Sequence, residues 1–431
     1  MWSINLLSSC FTVVAGIILL FATRFFFVLH PFRCLKRMCN LLSVRLRRRS
    51  LLLALAGTLG VGNIYGVALG IILGGEGSVF WLFVSSFFAM VVKYSESVVS
   101  TAMGSSGRGM MIPFEKNFGV AGKSIAGGYC KIMLLLSLFM GAFIQSDSLV
   151  SSATQLFYIN EILVAIVFLT LVIIVISGGG EKIKNVTEAI IPLATIFYVA
   201  LSFIVIFKGA SNLPSVISRV IKSAFSPVSM LFGIFPVISY TAFSQGFARG
   251  MLSNEAGAGS SAMAHSEGNV RPYDAGLFGI IEIVFDTNIL CMLTAFVVLL
   301  EVKDPTAFTS PMALVFSAFR SGVGEWSMLP LFLCIALFAY STVICWYYYG
   351  LRCILYLRYE RSYIIYSVAF CIFLLLPLFI DSIGVVYISD LLLFLMSLPT
   401  LICLLMNIKM IEKTTLDSVL FDIKSEHYKV K

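Results

Sequence analysis

One stretch, residues 57–66, combines four glycines with polar side chains inside an apolar segment. Glycine costs about 1 kcal/mol relative to alanine in a helix interior, so this stretch is poor material for a continuous helix. If the backbone unwinds at Gly60, the N–H groups of Val61 and Gly62 could bind a carboxylate, with Asn63 beside them. The pattern therefore favours a broken membrane helix that presents bare backbone to a solute.

The same glycines allow a second interpretation. From Gly62 to Gly74 they recur every four residues, which is the spacing of a small-residue ridge for close helix packing. Packing and a functional break can coexist in one helix, and the sequence leaves both open.

Two adjacent hydroxyl residues, Ser341 and Thr342, lie in another apolar segment. Hard cations such as Na⁺ take oxygen ligands, and these hydroxyls could hold one together with carbonyls of a broken helix. Serine and threonine in membrane helices also bond back to the preceding turn. The pair therefore indicates either an ion site or local back-bonding.

Charged residues at membrane depth are expensive and mark function by default. Lys93 and Glu96 are three residues apart, which predicts a local ion pair. Arg249 and Glu255 lie in a segment rich in small and polar residues, which is either a gate with an ion pair or a polar cytoplasmic loop. Asp286 is expected to be a bundle hydrogen-bonding residue or a proton carrier.

The composition identifies the solvent as mostly lipid. The 431 residues are 59% hydrophobic and 12% charged, against about 25% charged residues in soluble proteins. No nucleophile–base constellation, phosphate-binding loop or cluster of metal ligands is visible in the sequence, so neither an enzyme activity nor an organic cofactor is expected.

With about 20 apolar residues per crossing, the sequence predicts eleven spans in an all-α integral membrane protein. They cover 10–29, 51–72, 79–101, 130–156, 161–177, 189–207, 228–250, 275–300, 327–350, 362–380 and 386–407.

The distribution of lysine and arginine predicts the orientation. If the loop at 31–50 is cytoplasmic, the cytoplasmic segments hold 23 of these residues and the outer segments five. The N-terminus is therefore predicted outside and the C-terminus inside. The basic run Arg45–Arg49 is expected to orient the chain against anionic lipid headgroups, which argues against a nucleic-acid partner.

Without its first helix the chain divides into five spans and five spans of opposite polarity, as in an inverted repeat. The first span of each half contains an interruption, at 60–63 and at 244–250, and Gly246 is expected to contribute to the substrate site from the second. The predicted units are an extra N-terminal helix (1–30), a basic loop (31–50), two five-helix repeats (51–207 and 208–410) and a cytoplasmic tail (411–431).

Several motifs in order along the chain resemble those of the alanine or glycine:cation symporter family, the sodium:alanine symporters. They are Gly60-Val-Gly-Asn-Ile-Tyr-Gly-Val67, Leu73-Gly-Gly-Glu-Gly77, Arg249-Gly-Met-Leu-Ser-Asn-Glu-Ala-Gly-Ala-Gly-Ser260, Phe285-Asp-Thr287 and Trp346-Tyr-Tyr-Tyr-Gly350. The resemblance implies a LeuT-type fold with one additional N-terminal helix, in a bacterial-type cytoplasmic (inner) membrane.

The resemblance also implies site residues. The substrate carboxylate would contact Gly60, Val61, Gly62 and Asn63, and Gln145 and Trp346 would line the pocket. Carbonyls near Ala56 and Leu59 would join Ser341 and Thr342 at Na⁺. Val61 stands where the family usually has threonine, and Glu76 where it usually has proline.

The sequence thus predicts a sodium-coupled symporter that imports a small neutral amino acid, alanine or glycine, by alternating access. Na⁺ is the co-transported ion, membrane lipid surrounds the chain, and no obligate protein partner is expected. The alternative is a proton-coupled transporter, with Asp286 or Glu255 as the proton carrier, or a transporter of another small solute with the same fold. An amino-acid sensor that does not transport is less favoured because the tail is short.

Overall fold

The computed structural model describes residues 2–225, 239–267, 270–359 and 362–429, and all regular elements within these ranges are helical. The α-helices are α1 (Trp2–Ala22), α2 (Phe26–Leu29), α3 (Pro31–Leu42), α4 (Arg45–Thr58), α5 (Val67–Gly74), α6 (Gly77–Ala102), α7 (Met111–Asn117), α8 (Gly122–Leu136), α9 (Gln145–Phe157), α10 (Glu161–Ile176), α11 (Gly179–Lys208), α12 (Leu213–Ala224), α13 (Tyr240–Asn254), α14 (Ala262–His265), α15 (Pro272–Ile283), α16 (Met292–Glu301), α17 (Pro311–Val323), α18 (Met328–Tyr356), α19 (Tyr363–Leu375), α20 (Ser382–Met406) and α21 (Ile408–Lys429).

Three π-helical segments interrupt or join these helices, at Gly62–Gly66, Ser137–Ile144 and Val284–Cys291. Short 3₁₀ turns lie at Gly119–Ala121, Ala210–Asn212, Pro305–Ala307, Glu325–Ser327 and Leu376–Leu378. A π segment inside a longer helix leaves backbone groups out of the regular ladder, and such segments are frequent at functional sites.

Six described helical stretches are long and apolar enough to cross a membrane, or seven if the bent pair α4–α5 counts as one span. Shorter apolar helices cover Leu7–Ala22, Glu161–Ile176 and Tyr363–Leu378. The chain is therefore an all-helical, multi-pass protein. The number of eleven spans remains a prediction.

The predicted break in the first half is present. Helix α4 ends at Thr58, and the chain bends by 48° before the π segment that leads into α5. At the bend the N–H of Leu59 still bonds the carbonyl of Leu55 at 2.7 Å, whereas the N–H of Gly60 bonds that of Thr58 at 2.8 Å. The helical ladder thus stops where the glycine density predicts it.

The predicted interruption in the second half is wrong in position. Residues 244–250 lie inside the continuous helix α13, which runs to Asn254. The non-helical stretch follows it, from Glu255, whose φ of 54° ends the helix in the left-handed region. The first part of predicted span seven, residues 228–238, falls outside the described residues.

Helix α6 is the central element, since it packs against α1, α12, α13 and α15. Its contact with α13 depends on glycine. A Cβ at Gly246 would collide with the carbonyl oxygen of Ser78 and lie 2.7 Å from the Cβ of Trp81. Gly246 therefore serves the close approach of two helices, which explains a glycine there without a break.

The residues predicted as a polar tail form α21, which packs on the helices. Ile411 is buried, and the Thr415 hydroxyl lies 2.8 Å from the hydroxyl of Tyr94 in α6. The segment is rich in charged and polar residues, so composition alone indicated a solvated tail.

We expect Gly246→Ala to lower the thermal unfolding midpoint of the detergent-purified protein. Overpacking of this kind costs about 1–3 kcal/mol, because the α13–α6 backbones must separate. Gly128→Ala in α8 is the matched control, since no atom lies within 4 Å of its new Cβ. That change should leave the midpoint equal or slightly higher. Equal midpoints for wild type and Gly246→Ala would contradict the packing role.

Candidate functional site

The break between α4 and α5 meets α9 and α18 at one point. A Cβ on Gly60 would lie 2.7 Å from Thr342 Oγ1 and 3.1 Å from Gln145 Oε1. Only a residue without a side chain allows both polar groups to approach the backbone so closely. The predicted residues Gly60, Gln145 and Thr342 are thus brought together.

The freed backbone N–H of Val61 has a side-chain partner. It donates to Gln145 Oε1 at 3.0 Å, and both residues are buried. Gln145 begins α9, directly after the π segment Ser137–Ile144, and its Nε2 donates to the Met140 carbonyl at 3.4 Å. An amide oxygen therefore occupies the position at which the sequence predicts a substrate carboxylate oxygen.

The two predicted hydroxyl ligands differ in their contacts. Thr342 Oγ1 donates to the carbonyl of Ala56 in α4 at 2.9 Å, whereas Ser341 Oγ bonds back to the Phe338 carbonyl of its own helix at 3.0 Å. Leu59 is buried at the end of α4. The geometry unites Thr342 with the Ala56 carbonyl, and Ser341 follows the back-bonding alternative.

A single carboxylate ties the break to two further helices. Asn63 Nδ2 donates to Asp286 Oδ1 at 2.6 Å and to the Asp286 carbonyl at 3.0 Å. Ser253 at the end of α13 donates to both carboxylate oxygens at 3.1 and 3.0 Å, and Thr287 Oγ1 donates to Oδ2 at 2.8 Å. The Asn63 side chain therefore links the broken helix to the segment that carries Asp286, and Asp286 fits its predicted hydrogen-bonding role.

A small cavity lies between these elements, with a volume of about 20 Å³, the room of about one water molecule. Its lining is Gly57, Thr58, Gly60, Gly62, Tyr65, Met140, Ile144, Gln145, Leu252, Ser253, Glu255, Thr342 and Val386. Four predicted site residues are in that set.

The other seven predicted site residues do not line the cavity: Ala56, Leu59, Val61, Asn63, Ser341, Gly246 and Trp346. Gly246 packs against α6, as described above. Trp346 is fully buried one turn beyond Thr342, where a Cβ on Gly141 would collide with its Cβ. Its indole Nε1 has no hydrogen-bond partner among the described residues. Their contact with a substrate stays a prediction.

Sequence reasoning missed several cavity residues. Ser253 and Leu252 were hidden because the second break was placed too early in the chain. Met140 and Ile144 lie in the π segment of span four, where an ordinary apolar helix was predicted. Their only sequence signal is their position relative to Gln145, a residue that the resemblance already assigned to the pocket. Met140 lies a little more than one turn before it, and Ile144 directly precedes it.

The predicted ion pair between Lys93 and Glu96 is wrong. Lys93 Nζ in α6 lies 3.1 Å from Glu282 Oε1 in α15 and donates to Ser261 Oγ at 2.8 Å. Glu96 instead accepts from the N–H of Gly257 at 2.6 Å. The charged side chains are fully buried, so a tertiary partner displaced the local one.

The predicted gate pair between Arg249 and Glu255 is also wrong. Arg249 pairs with Asp390 in α20, and Glu255 accepts from Ser260 Oγ. Glu255 Oε1 is buried and has no hydrogen-bond partner among the described residues. Glu255 therefore contributes a carboxylate oxygen to the cavity rather than to a gate with Arg249.

Comparison with known proteins gives consistent results. The family model described as the sodium:alanine symporter family matches residues 1–423. An uncharacterized transporter of Haemophilus influenzae is 30% identical over 385 residues, covering 87% of this chain and 84% of that one.

Two relatives with assigned substrates are also similar. The sodium/alanine symporter AgcS of Methanococcus maripaludis is 30% identical over 342 residues, covering 75% of this chain and 73% of its own. The probable sodium/glutamine symporter GlnT of Bacillus subtilis is 29% identical over 306 residues, covering 69% and 62%.

We expect Lys93→Met to lower the thermal unfolding midpoint strongly. Removing one partner of a buried ion pair costs about 3–5 kcal/mol, since the other charge stays buried without compensation. The double change Lys93→Met with Glu282→Gln should recover most of the loss. Lys131→Met, at an exposed position on α8, is the control and should change little. A double variant no more stable than Lys93→Met alone would contradict the pairing.

Proposed function

Because the chain belongs to the sodium:alanine symporter family, we propose that it imports a small neutral amino acid, alanine or glycine, together with Na⁺ by alternating access. The family and its relatives are transporters, so the protein is a membrane transport protein and not an enzyme. The proposal includes the predicted LeuT-type arrangement of five plus five helices after one extra helix. It also includes an inner-membrane location with the N-terminus outside.

One observation supports the proposal most. Gln145, which accepts from the backbone N–H of Val61, and Thr342, which donates to the Ala56 carbonyl, both line one small cavity. The first feature suits a carboxylate and the second suits a hard cation. Ala56 and Val61 lie on the two sides of the same helix break, as expected for coupled binding sites in a transporter.

The carboxylate would bind the N–H groups of Val61 and Gly62, and the Gln145 amide would move aside for it. Met140, Ile144 and Leu252 line this cavity, which has the room of about one water molecule, so any amino acid must displace lining side chains and a small one displaces them least. Relatives are named for alanine and for glutamine, so the size of the bound side chain is a property of each chain. Asn63 and Trp346 retain the substrate contacts that the resemblance implies, and Gly246 retains the one proposed from the interruption at 244–250.

The Na⁺ site would form from the carbonyls of Ala56 and Leu59 with the hydroxyls of Thr342 and Ser341. Ser341 would turn away from Phe338 to join it. Because Na⁺ and substrate bind adjacent turns of one broken helix, each raises the affinity for the other by the same factor. The inward Na⁺ gradient then drives uptake.

Glu255 favours a second candidate, proton-coupled transport. Glu255 Oε1 accepts no hydrogen bond from any described residue, and the Glu255 side chain lines the cavity. A buried carboxylate of this kind can carry a proton with the substrate. Asp286 is the weaker carrier, because Asn63, Ser253 and Thr287 already donate to it.

The decisive measurement is uptake of labelled alanine and glycine by proteoliposomes under an inward Na⁺ gradient or an inward proton gradient alone. Under the proposal Na⁺ drives uptake and the proton gradient does not. Thr342→Val should raise the Na⁺ concentration for half-maximal uptake about tenfold, since it removes one charge-assisted oxygen contact.

Ser341→Ala is the matched control for Thr342→Val and should shift that concentration less, because its hydroxyl already bonds its own helix. Uptake that follows the proton gradient without Na⁺ would replace the sodium assignment by the Glu255 alternative. An unaltered Na⁺ dependence in Thr342→Val would remove this hydroxyl from the ion site.

We expect Gln145→Glu to raise the KM for alanine tenfold or more. The new carboxylate takes the Val61 N–H and repels the substrate carboxylate, and such like-charge contacts cost several kcal/mol. Gln145→Met has similar length without charge or acceptor, and should keep its KM within a few-fold of wild type. Wild-type KM values in Gln145→Glu would place the carboxylate elsewhere.

A further inference from the structure

A large cavity lies away from the proposed transport site. It measures about 760 Å³ and is open to the outside of the protein. The loop after α6, helices α7 and α8 and the end of α18 form its walls. All of these lie at the face that the lysine and arginine distribution predicts to be cytoplasmic.

Four basic side chains line this cavity: Arg108, Lys123, Arg352 and Arg358. Arg352 is fixed, because its Nε donates to the Gly107 carbonyl at 3.0 Å and its Nη2 lies 3.1 Å from a carboxylate oxygen of Glu267. It forms a rigid basic wall at the end of the helix that carries Thr342.

The other three cations, Arg108, Lys123 and Arg358, are exposed and form no ion pair with any residue in the described ranges. Among the described residues, one carboxylate lines the cavity, that of Glu115, and it accepts a hydrogen bond from the Tyr356 hydroxyl at 2.6 Å. The unpaired cations thus outnumber the acid three to one, which leaves the cavity positive.

The rest of the lining includes an apolar part. Leu355 and Leu357 form it beside Ser106, Gly127 and Tyr356, and Leu355 is 50% exposed. These leucines offer no favourable contact to a small hydrated anion, whereas the glycerol and upper acyl carbons of a lipid can pack against them. Basic pockets between membrane helices on the cytoplasmic side bind anionic headgroups.

We propose that this cavity binds the phosphate-bearing headgroup of an anionic phospholipid from the cytoplasmic leaflet. Arg108, Lys123 and Arg358 contact the phosphate, and Arg352 forms the rigid wall behind them. The site rests on the predicted orientation and does not depend on which solute is carried. A bound lipid would hold α8 against the end of α18.

The test uses the purified full-length protein in detergent micelles and fluorescently labelled phosphatidylglycerol. Each basic residue near a headgroup contributes about a fivefold gain in affinity, so Lys123→Gln with Arg358→Gln should weaken binding about 25-fold. Lys131→Gln with Lys409→Gln removes the same charge from exposed positions outside the cavity and should bind as wild type.

Two further arms complete the test. Lys123→Arg with Arg358→Lys keeps the charge and should bind as wild type, which separates lost charge from a disturbed fold. Inorganic phosphate at millimolar concentration should not compete with labelled phosphatidylglycerol. Labelled phosphatidylcholine should not bind at the cavity. Equal phosphatidylglycerol affinity in all variants overturns the proposal. Full competition by inorganic phosphate also overturns it, in favour of a soluble anion.

Discussion

The arrangement of the centre depends on the hydrogen bonds that the Asp286 carboxylate accepts. In lipid every backbone polar group needs an internal partner, so a helix can break only where neighbouring side chains supply one. Asn63 joins the broken helix to Asp286, and Ser253 joins the end of α13 to the same carboxylate. Thr294 closes the set by donating to the Asn63 carbonyl at 3.0 Å. Two non-helical stretches are thereby held at one level by one side chain.

This arrangement also explains why the π segments occur where they do. Asp286 and Thr287 lie within Val284–Cys291, and Gln145 follows Ser137–Ile144 immediately. Each segment turns a polar residue toward the first break, which a regular helix would place on another face. The site is thus built by three local departures from α-helical geometry that face one another.

The first break could be predicted from sequence because its cause is local. Glycine density and the loss of helix propensity act within a few residues of Gly60. The second could not, because Gly246 and Gly250 resemble the glycines of the first break in sequence, whereas in the structure they allow the contact with α6. A Cβ on Gly250 would collide with Ser85 Oγ. Likewise Lys93 stands three residues from Glu96, yet its partner comes from α15, and spacing within one helix cannot reveal that.

In the proposed binding mode, the hydrogen bond from the Val61 N–H to Gln145 Oε1 competes with binding of the solute carboxylate. A ligand that needs this N–H must replace a protein acceptor of similar strength, so its carboxylate can bond there only after the amide has released the donor. The apparent dissociation constant rises as the fraction of molecules in which Gln145 has released the N–H falls. In this binding mode, Gln145 would therefore compete with the solute for this donor. It would weaken binding of the solute, and it would also accept from the Val61 N–H again when the solute leaves, so that no buried donor is left unsatisfied.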